Sequence, residues 1–346
     1  TVTGAALAKD EARITILGVP DHPGVVHTLF QTIAGANIVV DMIVQNVATD
    51  EKTEVSFTVA SGDLAETLLA VDGAVKAIGA SGITHDAQVA KVSVVGQGMR
   101  THTGVAMTMF KALAEAGINI QMITTSEIKI SVLVDRASAV AALRAVHQAF
   151  LLDRWDNGSA RPLTIMPASS RSPRRPPEAE SGTPARPAPG MEDLVISGVE
   201  LDESQARVTV FNVPDEPGYA ARVFHNITEA GVNVDMIVQD ISTSGTTHLS
   251  FTVPRDSAEL AAAAAHKVKA GDVSVEPAIA KLSVLGVGMR THTGVATRMF
   301  GALAKRGINI ALINSSEVRI NVATDIGRGR EGLACLRRTF SLPDDE

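Results

Sequence analysis

The stretch Arg13-Ile14-Thr15-Ile16-Leu17 alternates polar and apolar positions with the period of a half-buried strand, and Pro20 with Pro23-Gly24 marks a turn after it. Apolar residues at Val25, Leu29, Ile33 and Ala36 then fall at spacings of three and four, which predicts a helix over 24–35 with one buried face. Ile38 to Val47 and Thr53 to Val59 read as the two arms of a hairpin, with Ala48-Thr49-Asp50-Glu51-Lys52 as its polar turn. Leu64 to Ile78 is a second predicted helix, and Ile83-Thr84-His85 a short closing strand. Elements in the order βαββαβ are satisfied by an antiparallel sheet with two helices on one face.

The pattern recurs on two scales. After Gly98 to Ala106 a helical spacing returns at Met109, Phe110, Leu113 and Ala114, followed by the run Ile118-Asn119-Ile120-Gln121-Met122-Ile123. On the longer scale, Gly98-Met99-Arg100-Thr101-His102-Thr103-Gly104-Val105-Ala106 recurs letter for letter at Gly288 to Ala296, 190 residues on. Asp41-Met42-Ile43-Val44-Gln45 recurs at Asp235 to Gln239, 194 residues on, so the second copy has lost about four residues between the motifs. Two copies of a two-unit module make four units, expected at 1–87, 88–155, 193–277 and 278–346. The last strand of each copy's second unit is weakly marked, and Val2 to Leu7 and Val195 to Glu200 are expected to complete those sheets. The fold class is α+β, with four ferredoxin-like units in two tandem pairs.

Composition adds a linker and removes several functions. Eight of the fifteen prolines lie between Pro162 and Pro189, and the expected linker over 156–192 is too poor in apolar residues to offset chain entropy. Its Arg171, Arg174, Arg175 and Arg186 stand among Glu178 and Glu180 in a chain of net charge −7, which favours solvation over nucleic-acid binding. One Trp, one Tyr and nine Phe leave few rings for base stacking. The lone Cys335 excludes a disulfide framework and a thiolate metal site. With no apolar run of about 20 residues and no signal peptide, a cytoplasmic chain is expected.

Candidate chemistry is confined to the strand-to-helix turns. A helix starting near Gly24 offers free N–H groups and the positive end of its dipole to a carboxylate, and Asp21 beside it suits an ammonium or hydroxyl. Read from the residues alone, Asp21 is equally a helix cap. Gly96-Gln97-Gly98 and Gly286-Val287-Gly288 lack the lysine of a phosphate loop and read as turns. His102 and His292 have no second ligand at helical spacing, so no metal is expected. Ser126-Glu127 and Ser316-Glu317 lack a paired histidine, which removes a nucleophile. No cofactor is expected.

Together with the element order, Val-Pro-Asp-x-Pro-Gly, Asp-Met-Ile-Val-Gln, Gly-Met-Arg-Thr-His-x-Gly-Val-Ala and Thr125-Ser126-Glu127-Ile128 resemble the paired ACT domains of aspartate kinase. The likeness is nearest to the separate regulatory subunit of actinobacterial-type enzymes, whose start is similar to Met191 to Val199, and it covers both copies. It implies four ACT domains that bind threonine or lysine between units. The effector would be held by a first-unit turn, a strand glutamine and the Asn-Ile segment of a partner unit. In copy one the resemblance assigns these roles to Asp21, Gly24, Val25, Val26, Gln45, Asn119 and Ile120. In copy two it assigns them to Asp215, Gly218, Tyr219, Ala220, Gln239, Asn309 and Ile310, with Asn233 before the second strand. Ser126, Glu127, Ser316 and Glu317 match the family's Ser-Glu pair near the effector.

The departures carry expectations of their own. Copy one has Val39 where copy two has Asn233, so sites using that asparagine are expected to bind unequally. Thr103 and Thr293 replace a common proline, and Gly327-Arg328-Gly329-Arg330 should weaken the last helix relative to Ala137-Ser138-Ala139-Val140. The Lys-x-Gly-Gly segment and kinase domain with which aspartate kinases open are not found in these residues. The expected function is therefore a noncatalytic regulatory protein conferring threonine or lysine feedback control on a partner kinase. The alternatives are a freestanding amino-acid sensor and a part of an active kinase. As family subunits pair first unit to second, the two halves are expected to form an intramolecular pseudo-dimer, first unit against fourth and second against third.

Overall fold

The computed structural model describes residues 2–47, 50–97, 104–152, 195–239, 245–287, 289 and 294–343. The expected linker, residues 98–103 of the repeated nonapeptide, and His292 and Thr293 in its second copy lie outside them. The first unit runs β1 (Val2–Pro20), α1 (Val25–Gly35), β2 (Val40–Gln45), β3 (Lys52–Val59), α2 (Leu64–Ile78) and β4 (Gly82–Gly96). The second takes β4 onward through α3 (Gly104–Glu115), β5 (Met122–Thr125), β6 (Lys129–Asp135) and α4 (Ala139–Ala149). In the second copy, β7 (Val195–Asp202) precedes β8 (Gln205–Pro214), α5 (Tyr219–Glu229), β9 (Ile237–Gln239), β10 (Thr246–Pro254), α6 (Ala258–His266) and β11 (Val273–Glu276). The last unit is β12 (Ile279–Val287), α7 (Gly294–Lys305), β13 (Leu312–Ser315), β14 (Arg319–Asp325) and α8 (Gly329–Thr339).

Each unit has the ferredoxin-like arrangement, with the first and third strands in the middle of four antiparallel ones. The strand expected at 83–85 is the beginning of a fifteen-residue strand, because β4 serves two units. Its start, Gly82 to Asp86, pairs with Arg13 to Leu17 of β1, and its end, Lys91 to Gly96, pairs with Val2 to Ala8. The leading strands therefore complete the second-unit sheets, β1 in the first copy and β7 against β12 in the second.

The halves join edge to edge. Ile313 and Asn314 of β13 pair with Gln45 and Val44 of β2, and Ile123 of β5 pairs with Gln239 of β9, so all fourteen strands form one sheet. The pairing is first unit with fourth and second with third. Helices close the same junctions: Phe30 of α1 meets Phe300 of α7, and Phe110 of α3 meets Phe224 of α5, each at 5.5 Å between ring centres. On the helix-free face a third apolar cluster draws Met42, Val89, Met122, Leu133, Met236 and Leu312 from all four units.

The glycines expected to weaken the last helix have a packing role. α8 spans eleven residues, as does α4, and its glycines are buried where it approaches the sheet. A Cβ on Gly329 would lie 2.7 Å from the Ala280 Cβ, and one on Gly332 would overlap the Leu282 side chain. Close packing of helix on strand, which only glycine permits there, outweighs propensity. None of the described helices is long and apolar enough to cross a membrane.

Candidate functional site

The turn between β1 and α1 is closed by Gly24 in the left-handed region, φ 96°, and its counterpart Gly218 has φ 98°. A side chain is strained there, so glycine fixes how the chain enters each helix. No side chain caps α1 or α5, and the cap reading of Asp21 is thereby excluded. Asp21 Oδ1 instead accepts a hydrogen bond from Asn309 Nδ2 at 2.8 Å, across the junction of first and fourth units. At the other junction Asn119 Nδ2 donates to Asp215 Oδ1 at 2.7 Å. The glutamines repeat the crossing: Gln45 Nε2 donates to the Ile310 carbonyl at 2.8 Å and Gln239 Nε2 to that of Ile120 at 2.9 Å.

These contacts bring the expected residues together across the copies, as pairing of first unit with fourth and second with third requires. The sets do not assemble within a copy; Asp21, Gly24 and Gln45 meet Asn309 and Ile310, while Asp215, Gly218 and Gln239 meet Asn119 and Ile120. A cavity lies at the second of these junctions, lined by Asn119, Ile120, Asp215, Gly218, Tyr219, Ala220 and Gln239, with Phe110, Pro214, Glu216, Ala221 and Thr247 also in its wall. At the first junction the buried Gln45 keeps Nε2 paired, but its Oε1 has no hydrogen-bond partner among the described residues. A buried amide oxygen left in that state is costly unless another donor arrives. Val25 and Val26 turn their side chains into the core and offer backbone only.

Four further residues lie elsewhere. Ser316 lines a second cavity between first and fourth units, together with Ser315, Asp41, Val40, Phe30 and Met289. Ser126 closes its own hairpin through the Lys129 carbonyl, 3.2 Å from its Oγ. Glu127 and Glu317 form cross-copy ion pairs, Glu127 with Arg319 at 3.2 Å and Glu317 with Lys129 at 2.8 Å. Asn233 is exposed and lines neither cavity, which removes the ground for unequal binding through Val39.

Asp41 was missed, although it opens one of the two repeated strings. Its carboxylate is bonded by the buried Lys91, whose Nζ also lies 3.2 Å from Glu11. Burial drives the Glu11 carboxyl up to about 7 against the pull of Lys91, with Asp41 adding to the rise. Burial alone would lower the Lys91 ammonium, but the charges of Asp41 and Glu11 hold it above its usual range. Lys281 repeats the device with Asp235 and Asp202.

A family model described as the ACT domain matches residues 92–150, 211–268 and 282–340, and a second ACT domain model matches 13–72. An aspartate kinase of Pseudomonas fluorescens is 52% identical over 154 residues, covering 44% of this chain and 37% of that protein. The crystal structure of aspartate kinase from Synechocystis superposes on 100% of this chain and 56% of its own, with a TM-score of 0.84 and 30% identity. The regulatory subunit of aspartate kinase from Thermus thermophilus is 43% identical, covering 43% of this chain and 99% of that one, with a TM-score of 0.42. The expectation of a protein outside the enzymes is overturned by these relatives. They are aspartate kinases, and the whole of this chain superposes within one of them. The chain spans 37% of the length of the Pseudomonas relative and 56% of the Synechocystis one.

Proposed function

Because the chain belongs to the ACT domain family and is homologous to the regulatory part of aspartate kinases, we propose that it binds a free amino acid between its halves and thereby controls an aspartate kinase activity. The observation that carries this reading is the cavity where Asp215, Asn119 and Gln239 converge on the uncapped start of α5. An α-amino acid is complementary to it. Its carboxylate is attracted to the first-turn N–H groups of α5 and the positive end of the helix dipole, and its ammonium to Asp215. The counterpart junction supplies Asp21, Asn309 and the orphaned Gln45 oxygen.

Threonine and lysine are the proposed effectors, in a cytoplasmic setting. The two cavities differ in chemistry: one has Asp215 and a helix terminus, the other the Asp41 carboxylate beside Ser315 and Ser316. Control of the kinase requires the effector to prefer one arrangement of the units over another, and a ligand held by residues of both halves is sensitive to that arrangement. Isothermal titration of the chain with threonine and with lysine tests the reading, and absence of binding by either overturns it. Asp215→Ala removes a charge-assisted contact worth roughly 1.5–3 kcal/mol, so affinity at that cavity is expected to fall about ten- to a hundredfold. An unchanged isotherm overturns the role of Asp215.

A further inference from the structure

The two helix seams that join the halves are equivalent by repeat but not by residue. Gly301 in α7 is buried, and a Cβ placed on it would lie 2.7 Å from Cε1 and 2.9 Å from Nδ1 of His27 in α1. A glycine inside a helix is unfavourable, by about 1 kcal/mol against alanine, so its presence calls for a packing reason. The His27 ring supplies one, seated over the bare backbone with Nδ1 3.2 Å from the Thr297 carbonyl. At the other seam the repeat offsets set Ala221 of α5 in the place of His27 and Lys111 of α3 in the place of Gly301. The matched Phe30–Phe300 and Phe224–Phe110 contacts, both 5.5 Å, establish that the seams correspond. One seam therefore sets an imidazole on bare helix backbone, and the other sets an alanine where the facing helix carries the Cβ of Lys111, whose outer side chain is exposed and lies 3.8 Å from Glu115.

We propose that these two pairs, His27 with Gly301 and Ala221 with Lys111, commit the halves of this chain to each other and reject pairing of either half with the same half of a second copy. In a like-with-like assembly, His27 would meet Lys111 of another chain, where a Cβ stands in the space the ring takes over Gly301. Ala221 would meet Gly301, leaving a void that loses contacts on both sides. The correct assembly has neither fault. A second difference points the same way: Asn314, fully buried, donates from Nδ2 to the Thr125 carbonyl at 3.0 Å. Its repeat equivalent is Thr124, so the longer amide is present in one half and finds its acceptor in the other. Complementarity plus mismatch against the alternative is how specificity is built where two surfaces are nearly alike. The proposal does not depend on effector binding.

Exchanging the two helix residues tests it without changing composition. In the full chain, Lys111→Gly with Gly301→Lys mismatches both seams within the chain and matches both seams between like halves of two chains. Light scattering after size exclusion should then show material at twice the wild-type mass, in a proportion that rises with concentration, and a lower thermal midpoint at low concentration. Adding His27→Ala and Ala221→His transposes the partners as well, and should return the wild-type mass and most of the lost midpoint. An exchange variant with wild-type mass and midpoint overturns the proposal. So does a fourfold variant no better than the exchange, which keeps the test decisive if the exchange variant fails to fold.

Discussion

At the scale of single residues the chain stores charge where its units meet. Glu11, 6% exposed, has its neighbour Lys91 at 3.2 Å, and Lys91 also bonds Asp41. Two carboxylates share one ammonium, and burial keeps a proton on Glu11 up to about 7, against an ordinary value of 4.5. Between those values the folded protein holds a proton that the unfolded chain has given up, so stability falls as pH rises through the window, and the loss is complete above it. Glu11→Gln removes the titration and keeps a polar partner for Lys91. It is expected to stabilise the chain at about pH 8 by roughly 1–3 kcal/mol and to change little at about pH 4, as read by urea unfolding. Destabilisation at about pH 8 would mean that Lys91 holds Glu11 ionised. None of this was legible in the sequence, since Glu11, Asp41 and Lys91 lie on three strands with no shared periodicity. Asp21 was legible only as two equal readings, cap or ligand contact; the structure removes the cap and turns its carboxylate to the Asn309 amide 288 residues away.

At the scale of elements, local pattern worked where an element's partners are local. α2 occupies the 64–78 expected from its spacing, and α1 begins one residue inside its forecast. β4 was read as three residues because half of its pairing comes from Val2 to Ala8, far back in the chain, and a strand used by two units is buried too evenly to alternate. α8 carries glycines for a reason its own pattern does not show. Its glycines lower propensity, yet they admit Leu282 and Ala280 of β12 against the helix backbone. Gly332→Ala therefore sets two effects against each other: about 1 kcal/mol gained in helix propensity and roughly 1–3 kcal/mol lost to overpacking against Leu282. The packing side is expected to win. Denaturant melts should give a less stable variant, and a more stable one would show that the sheet yields to a methyl group.

At the scale of the whole molecule, the duplication visible in the repeated strings becomes one continuous sheet, and the pseudo-dimer expected from it has the first unit on the fourth and the second on the third. With that pairing every candidate binding site is divided between copies, because each turn's aspartate reaches an asparagine of the other half. The same division ties the halves together. Two strand junctions, two phenylalanine contacts, the ion pairs of Glu317 with Lys129 and Glu127 with Arg319, and an apolar cluster fed by all four units would have to part at once. Continuity of the chain between Leu152 and Val195 should then matter little to the assembly. After proteolytic cleavage in that interval, two fragments are expected to elute together with the mass of the uncut chain even at about 1 μM, which requires more than about 8 kcal/mol of association free energy. An amino acid bound at a divided site adds to that by mass action, so threonine or lysine should raise the temperature at which the cut fragments separate. Fragments that elute apart at about 1 μM would show that the chain connection, rather than the junctions, holds the halves in register.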